Sequence, residues 1–162
     1  MFDRREAILS RLEVILGTVP GILGAYRDRG DFQPTDIETG IDILPAAVLL
    51  DGKETVGLAG KYDPNTMQCG PSLMALEPQI FIVMKPAADI NNTGMGPAMS
   101  MMRSQLVNLV LQDMQLKVLL GTNGALSYKG MMTDMQTGST IQGQMQLEFV
   151  LVYVFDPREL QN

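Results

Sequence analysis

The 162-residue sequence contains no histidine, no tryptophan and only one cysteine, Cys69. Histidine is the usual general base near neutral pH and the commonest zinc ligand, so its absence removes Ser-His and Cys-His nucleophilic pairs and the usual zinc sites. A lone cysteine cannot form an intramolecular disulfide, which excludes a disulfide-stapled secreted scaffold. The composition therefore disfavours hydrolytic enzymes and zinc proteins.

Charged residues are also scarce, at 19% of the chain, and they are acidic on balance. The 12 lysines and arginines stand against 18 aspartates and glutamates, which gives a formal charge of -6. No run of basic residues interrupts this pattern, so we do not expect a surface that grips nucleic-acid phosphates. An acidic surface repels DNA and would let it pass without binding.

Long apolar runs are missing as well. No unbroken apolar stretch reaches the length of about 18 residues that a membrane span needs. Residues 1–17 carry six charged side chains, too many for the apolar core of a signal peptide, so we expect a protein that is soluble and cytosolic when made. With 46% hydrophobic residues the chain can close one sizeable core but is too short for two, which predicts a single domain spanning 1–162.

Two segments have the apolar spacing of amphipathic helices. The first begins at Asp3, which can cap it in a capping box with Glu6, and ends at Gly17. The second has Pro97 in its first turn and runs to about Asp113. The residues predicted to line the buried faces are Ile8, Leu12, Ile15 and Leu16 in the first helix and Met99, Met102, Leu106, Leu109 and Val110 in the second.

Two short segments, 46–50 and 79–84, are apolar on both faces, which is typical of central strands. Asp51-Gly52 is a turn signal and would close the first of them. A further short strand is predicted at 22–27. The region 52–77 is rich in Gly, Pro and polar residues and has little periodicity, so we predict a long loop or a hairpin arm there.

The last third of the chain alternates between apolar and polar residues, as half-exposed strands do. Leu126, Tyr128 and Met132 share a face in the first of two predicted strands. The second, 144–155, is predicted to be exposed on one side in its first half and buried on both sides in its second half. The order helix, strands, helix, strands predicts an α+β domain, a mainly antiparallel mixed sheet with two helices packed on one face.

One acidic segment has a superficial likeness to a metal site. Asp36, Glu38 and Asp42 alternate like calcium ligands, but the calcium-loop template needs glycine and glutamate where this chain has Ile41 and Ala47. A solvated acidic loop explains the segment better. We therefore predict no metal ion and no other cofactor.

Ser127 and Lys129 lie two residues apart on a predicted strand, which would allow a Ser-Lys nucleophilic pair. Such a pair needs a desolvated lysine, and nothing near Lys129 in the sequence would shield it. Two exposed polar positions on a half-buried strand account for both residues. The sequence therefore gives little support for an enzyme.

Several segments together resemble a known family. They are the helix closing at Leu16-Gly17, the Tyr-Arg-Asp-Arg-Gly stretch at 26–30, the stretch 44–54 with Ala-Val-Leu-Leu-Asp-Gly, the apolar strand 78–84, the helix 97–113, and the closing strand 143–157 that ends in Tyr-Val-Phe-Asp-Pro. This pattern is similar to the tail terminator, or tail completion, proteins of long-tailed bacteriophages, of the type found in phage lambda. The similarity covers most of the chain.

The resemblance implies a fold and a function. Proteins of this family have a sheet packed by helices and form a hexameric ring that caps the tail tube, ends its polymerisation and joins the tail to the head. The family has no catalytic residues, so the resemblance implies a structural protein that is not an enzyme. The implied partners are further copies of the chain, the tail tube protein and a neck or head-completion protein, with no membrane and with DNA passing through without specific binding. The implied location is the head-proximal end of the virion tail, and the host cytoplasm during assembly.

Three other functions stay open at this point. A different head-tail connector or neck adaptor would serve the same assembly. A small hydrolase is disfavoured by the missing histidine. A regulatory binding module would be expected as a monomer or a dimer.

Eight residues are candidate contacts between subunits or with the tail. A ring forms when head-to-tail contacts of an asymmetric domain close, sheet edges can supply the hydrogen bonds, and opposite charges can fix the register. The candidates lie at the end of the first short strand, after the first central strand, and in the arm: Arg27 and Arg29; Asp51, Lys53 and Glu54; Lys61, Tyr62 and Asp63.

Overall fold

A computed structural model describes residues 3–28, 44–84, 95–136 and 142–158 of the chain. Within these ranges three α-helices and seven β-strands form one α+β domain. The helices are α1 (Arg4–Gly17), α2 (Met95–Gln112) and α3 (Met114–Leu120), and the strands are β1 (Gly24–Arg27), β2 (Ala46–Leu58), β3 (Tyr62–Asp63), β4 (Gln68–Cys69), β5 (Ser72–Val83), β6 (Ala125–Gln136) and β7 (Gln142–Phe155).

Five of the strands form a mixed sheet in the order β1-β2-β5-β7-β6. Only β1 and β2 run parallel, and the other neighbouring pairs are antiparallel. The short strands β3 and β4 pair with each other between β2 and β5. The predicted fold class is confirmed, with three described helices in place of two.

The three described helices pack on one face of the sheet, which we call the helix face. Its core side chains come from alternate positions of the strands, as the period of two requires. On β7 five alternating residues of this face are almost completely buried: Met145, Leu147, Phe149, Leu151 and Tyr153. We call the opposite side, which includes Val48, Glu77, Phe81, Gln146 and Val150, the second face.

Helix α1 begins and ends as the sequence predicts. Asp3 is the N-cap, and its carboxylate accepts a hydrogen bond from the backbone N–H of Glu6 at 3.2 Å. This bond satisfies one of the N–H groups that a helix start leaves without a partner. The buried stripe contains all four predicted residues and Leu9.

Helix α2 buries a narrower stripe than the sequence predicts. Met99, Met102, Leu106 and Val110 are buried, whereas Leu109 is 37% exposed. Leu109 is one residue, and therefore about 100° of helix rotation, away from Val110, which places it at the margin of the stripe. The prediction was wrong for Leu109.

Helix α3 is not among the predicted helices, because the apolar pattern of the second predicted helix stops at about Asp113. Asp113 is the break between the two helices: its backbone is extended, and its carboxylate accepts a hydrogen bond from the N–H of Leu116 at 2.6 Å. One aspartate therefore ends α2 and caps α3. Leu116 and Leu120 bury the inner side of the short helix.

The turn predicted at Asp51-Gly52 is a β-bulge within β2. Leu50 pairs with Gln79 and Lys53 pairs with Glu77, so the strand gains a residue and continues to Leu58. Gly52 has a φ of 69°, and a Cβ there would lie 1.9 Å from the carbonyl oxygen of Glu77. A Gly-rich bulge and a tight turn share this sequence signal, which explains the error.

A second bulge changes the faces along β6. Tyr128 pairs with Phe149 and Gly130 with Glu148, so Lys129 is the extra residue. Beyond it Met131 lies opposite Leu147, on the helix face, and Met132 lies opposite Gln146, on the second face, where it is 63% exposed. The prediction that Met132 shares a face with Leu126 and Tyr128 was therefore wrong.

The second half of β7 is less buried than predicted. Val150, Val152 and Val154 are half-buried, whereas we expected burial on both sides. They lie on the second face, and the described helices all pack on the other one.

No helix in the described part of the chain is long and apolar enough to cross a membrane.

Candidate assembly surfaces

A network of charged side chains holds the base of the β2–β5 hairpin. Its centre is Arg27, at the end of β1, which donates hydrogen bonds to both oxygens of Asp51 at 2.6 and 2.8 Å. The same guanidinium donates to both oxygens of Glu6, at 2.6 and 3.0 Å. These bonds lower the pKa of Asp51 and the pKa of Glu6, and they raise the pKa of Arg27. Arg27 thereby ties α1, β1 and the bulge of β2 together.

The network continues to a buried tyrosine. The hydroxyl of Tyr153, on β7, donates a hydrogen bond to Glu54 at 2.6 Å. Arg5, on α1, lies 3.5 Å from the same Glu54 oxygen and 3.3 Å from Asp51. Burial is the largest cause that raises the pKa of Tyr153, and the bond to Glu54 adds to it. We call these six residues the base network: Arg5, Glu6, Arg27, Asp51, Glu54 and Tyr153.

Three of the eight candidate contacts belong to this network. Arg27, Asp51 and Glu54 find their charged partners inside the subunit, and there they fix the hairpin against α1 and β7. A contact of these residues with a neighbouring subunit stays a prediction. Arg29 lies outside the described residues.

Lys53, another candidate, lies on the second face of the sheet. Its Nζ is 3.8 Å from an oxygen of Glu77, and Lys129 lies 3.9 Å from the same oxygen on the other side. Ion pairs this exposed contribute little to stability. The two distances to Glu77 show that both ammonium groups are directed toward the middle of the sheet.

The remaining candidates, Lys61, Tyr62 and Asp63, are exposed residues at the tip of the arm. The arm is the β2–β5 hairpin beyond the bulge, with β3 and β4 at its end. At the tip the N–H of Gly70 donates a hydrogen bond to the carbonyl of Lys61 at 2.9 Å, and Asp63 accepts one from the N–H of Asn65 at 2.9 Å. These bonds make the tip a short, tight structure.

The arm also exposes apolar side chains, of which only Tyr62 is among the eight candidate contacts. Val56 is 58% exposed and Leu58 is 66% exposed, and Tyr62 and Met67 are likewise exposed. A register shift between Val56, opposite Met74, and Leu58, opposite Leu73, places these two side chains on different faces, so the sequence has no regular alternation here. Several exposed apolar side chains close together are typical of association surfaces.

A shallow groove lies between α1 and α3 on the outside of the helix layer. Its volume is about 510 Å³, and Arg11 crosses it to pair with Asp113 at 2.5 Å. This pair lowers the pKa of Asp113. The apolar lining residues are Ala7, Val14, Met114, Val118 and Leu119. The sequence does not predict this groove, because the groove depends on α3.

The polar residues considered for chemistry are not brought into a site. Ser127 and Lys129 are both exposed, and Lys129 is the extra residue of a bulge, which changes its position relative to Ser127. Within the described ranges no group of three or more acidic or cysteine side chains could hold a metal ion. The acidic segment from Asp36 to Asp42 lies outside the described residues.

No protein-family model matches the chain, and no curated protein matches it significantly.

Proposed function

We propose that this protein is a structural subunit of a phage tail, a terminator that forms a closed ring on the head-proximal end of the tail tube. The observation that carries the proposal is that, among the described strands, β6 and residues 51–58 of β2 each have an unpaired edge, and β2 also exposes Val56 and Leu58. Open strand edges and exposed apolar residues are features that an assembling subunit uses for contacts with its neighbours. The resemblance of the sequence to tail terminator proteins supplies the identity of the assembly.

Such a subunit has different surfaces on its two sides, which suits a ring. The edge strand β6 lies on one side of the sheet, and the arm lies on the other. Contacts between unlike surfaces run head to tail, and they close into a ring when the rotation between subunits permits. One rim of the ring would then meet the tube and the other the neck.

The acidic balance of the chain fits a channel that DNA crosses. A formal charge of -6 repels phosphates, so DNA would slide through the ring without being held. The ring is therefore proposed as a passive collar, without enzymatic activity.

The test is to locate the protein in purified particles. Native mass spectrometry of the isolated protein should give one closed oligomer instead of a ladder of sizes, and labelling should place it between tube and neck. A label found only on the head side of the neck would favour a neck adaptor. A monomer that is absent from particles would contradict the proposal.

A further inference from the structure

Part of the outer edge of β2 has no strand beside it. β1 pairs with β2 only over residues 46–49, and beyond these no described strand covers the outer edge of residues 51–58. Lys53, Thr55 and Val56 are exposed along this stretch. The N–H of Asp51 donates to the Asp28 carboxylate at 3.2 Å, whereas the other outward backbone groups of this stretch have no partner strand among the described residues.

The opposite edge of the sheet is β6. Among the described strands β6 pairs only with β7, so one side of it is open. Ser127, Lys129, Met131 and Met132 are exposed along it. Among the described strands, β6 on one side of the sheet and residues 51–58 of β2 on the other side therefore each have an unpaired edge.

The two edges run in directions that permit pairing. β2 is antiparallel to β5, β5 to β7, and β7 to β6, so β2 and β7 point one way and β5 and β6 the other. If a second copy lies beside the first in the same orientation, its β2 is antiparallel to the β6 of the first. The antiparallel alternation then continues across the boundary.

The side chains of the two edges also match. Val56 pairs with Met74 and Met131 with Leu147, so both lie on the helix face. Leu58, opposite Leu73, and Met132, opposite Gln146, both lie on the second face. Each face of a joined sheet would thus bring exposed apolar residues from the two copies together, as direct or diagonal neighbours.

The lysines on the two open edges, Lys53 and Lys129, extend over the second face of the sheet. Exposed edge strands commonly carry charged residues that prevent pairing. Here Lys53 and Lys129 are each drawn toward Glu77 in the middle of the second face, at 3.8 and 3.9 Å. The base network meanwhile holds the arm in place before any neighbour arrives, so that little ordering is required on contact.

We propose that β6 of one copy pairs antiparallel with residues 51–58 of β2 in the next copy. The partner is thus a second copy of this chain, bound head to tail. The inference rests on the proposed function, because only a head-to-tail contact builds a ring. A two-fold pairing of β6 with β6 is also antiparallel, but it ends at a dimer and leaves both arms unused.

Cysteine crosslinking distinguishes these arrangements. In a Cys69→Ser background, the double variant Thr55→Cys with Met132→Cys places thiols on the second face of both edges. A short bis-maleimide reagent should convert this protein into covalent multimers up to the full ring. The single variants Thr55→Cys and Met132→Cys should stay monomeric on denaturing gels, and Val14→Cys, in the helix groove, should do the same.

The contrary outcomes are equally distinct. Covalent dimers from Met132→Cys alone would overturn the inference in favour of two-fold pairing, and dimers from Val14→Cys would overturn it in favour of the groove. Rings seen by native mass spectrometry without crosslinking of the double variant would overturn the strand pairing and leave the proposed function standing. Crosslinked rings of a protein that is absent from tails would uphold the pairing and overturn the function.

Discussion

Replacing Arg27 with methionine tests the base network. Arg27 donates two hydrogen bonds to Asp51 and two to Glu6, and its side chain is only 20% exposed. Methionine keeps most of the apolar stem and removes the charge. Both carboxylates then lose their main cation, although Arg5 remains near Asp51.

The size of the effect follows from how well each bond is shielded. A hydrogen bond to a charged group contributes about 1.5–3 kcal/mol, and an exposed ion pair contributes about 0–1 kcal/mol. Asp51 is 22% exposed and belongs closer to the first class, whereas Glu6 is 52% exposed and belongs to the second. After allowance for solvent screening we expect Arg27→Met to lower the free energy of unfolding by about 2 kcal/mol.

Urea denaturation measures this loss as a lower midpoint with an unchanged slope. Arg158→Met is a matched control, because it removes an equally short pair, at 2.6 Å from Asp156, that lies at the surface. We expect little change in this control. Equal midpoints for the two variants would refute the reasoning.

The stability difference between the wild type and Arg27→Met should also depend on pH. Arg27 holds the pKa of Asp51 and the pKa of Glu6 below their ordinary values. The stabilisation is therefore complete above the unfolded-state pKa values of about 4 and is lost as the pH falls below them. The difference between the wild type and Arg27→Met should shrink in that range, and a difference that does not depend on pH would contradict the assignment.

Three further predictions concern the core, the tyrosine and the charge. Leu106→Asp should prevent folding, because Leu106 is fully buried and an unpaired buried charge costs several kcal/mol, a large part of a domain stability of about 5–15 kcal/mol. Circular dichroism measures the loss of structure. Val118→Asp, at a position that is 75% exposed, is the control that should fold. Because burial and Glu54 raise the pKa of Tyr153, the wild type should lose stability as the pH rises above about 10, and Tyr153→Phe should lose less; identical alkaline melting curves would argue against it. A mobility-shift assay at low salt should show no stable complex with duplex DNA, and tight, salt-sensitive binding would defeat the channel hypothesis.

The sequence by itself determined the features that depend on near neighbours along the chain. The cap of α1 needs only Asp3 and the N–H of Glu6, three residues away, so its pattern is readable in one dimension. The buried side of β7 follows from strict alternation, which is a property of any strand with one face in a core. These local rules were sufficient for the fold class and for both ends of α1.

Features that join distant parts of the chain were decided by the tertiary structure. Arg27 and Asp51 could be named as charged candidates, but their pairing with Glu6, Arg5 and Glu54 depends on how α1 packs beside β2. The groove between α1 and α3 likewise depends on the packing of two helices. No sequence spacing encodes such contacts, because they form only when the core closes.

The bulges at Asp51-Gly52 and at Lys129 show the same limit within single strands. Asp51-Gly52 is typical of a turn and Lys129 of a regular strand position, but each bulge adds one extra residue, which moves the following side chains to the other face. Neither a glycine nor a lysine carries a local signal that distinguishes a bulge from a turn or from a regular strand position. The partner strand decides it, because the hydrogen-bond register and the burial of one face must be satisfied together.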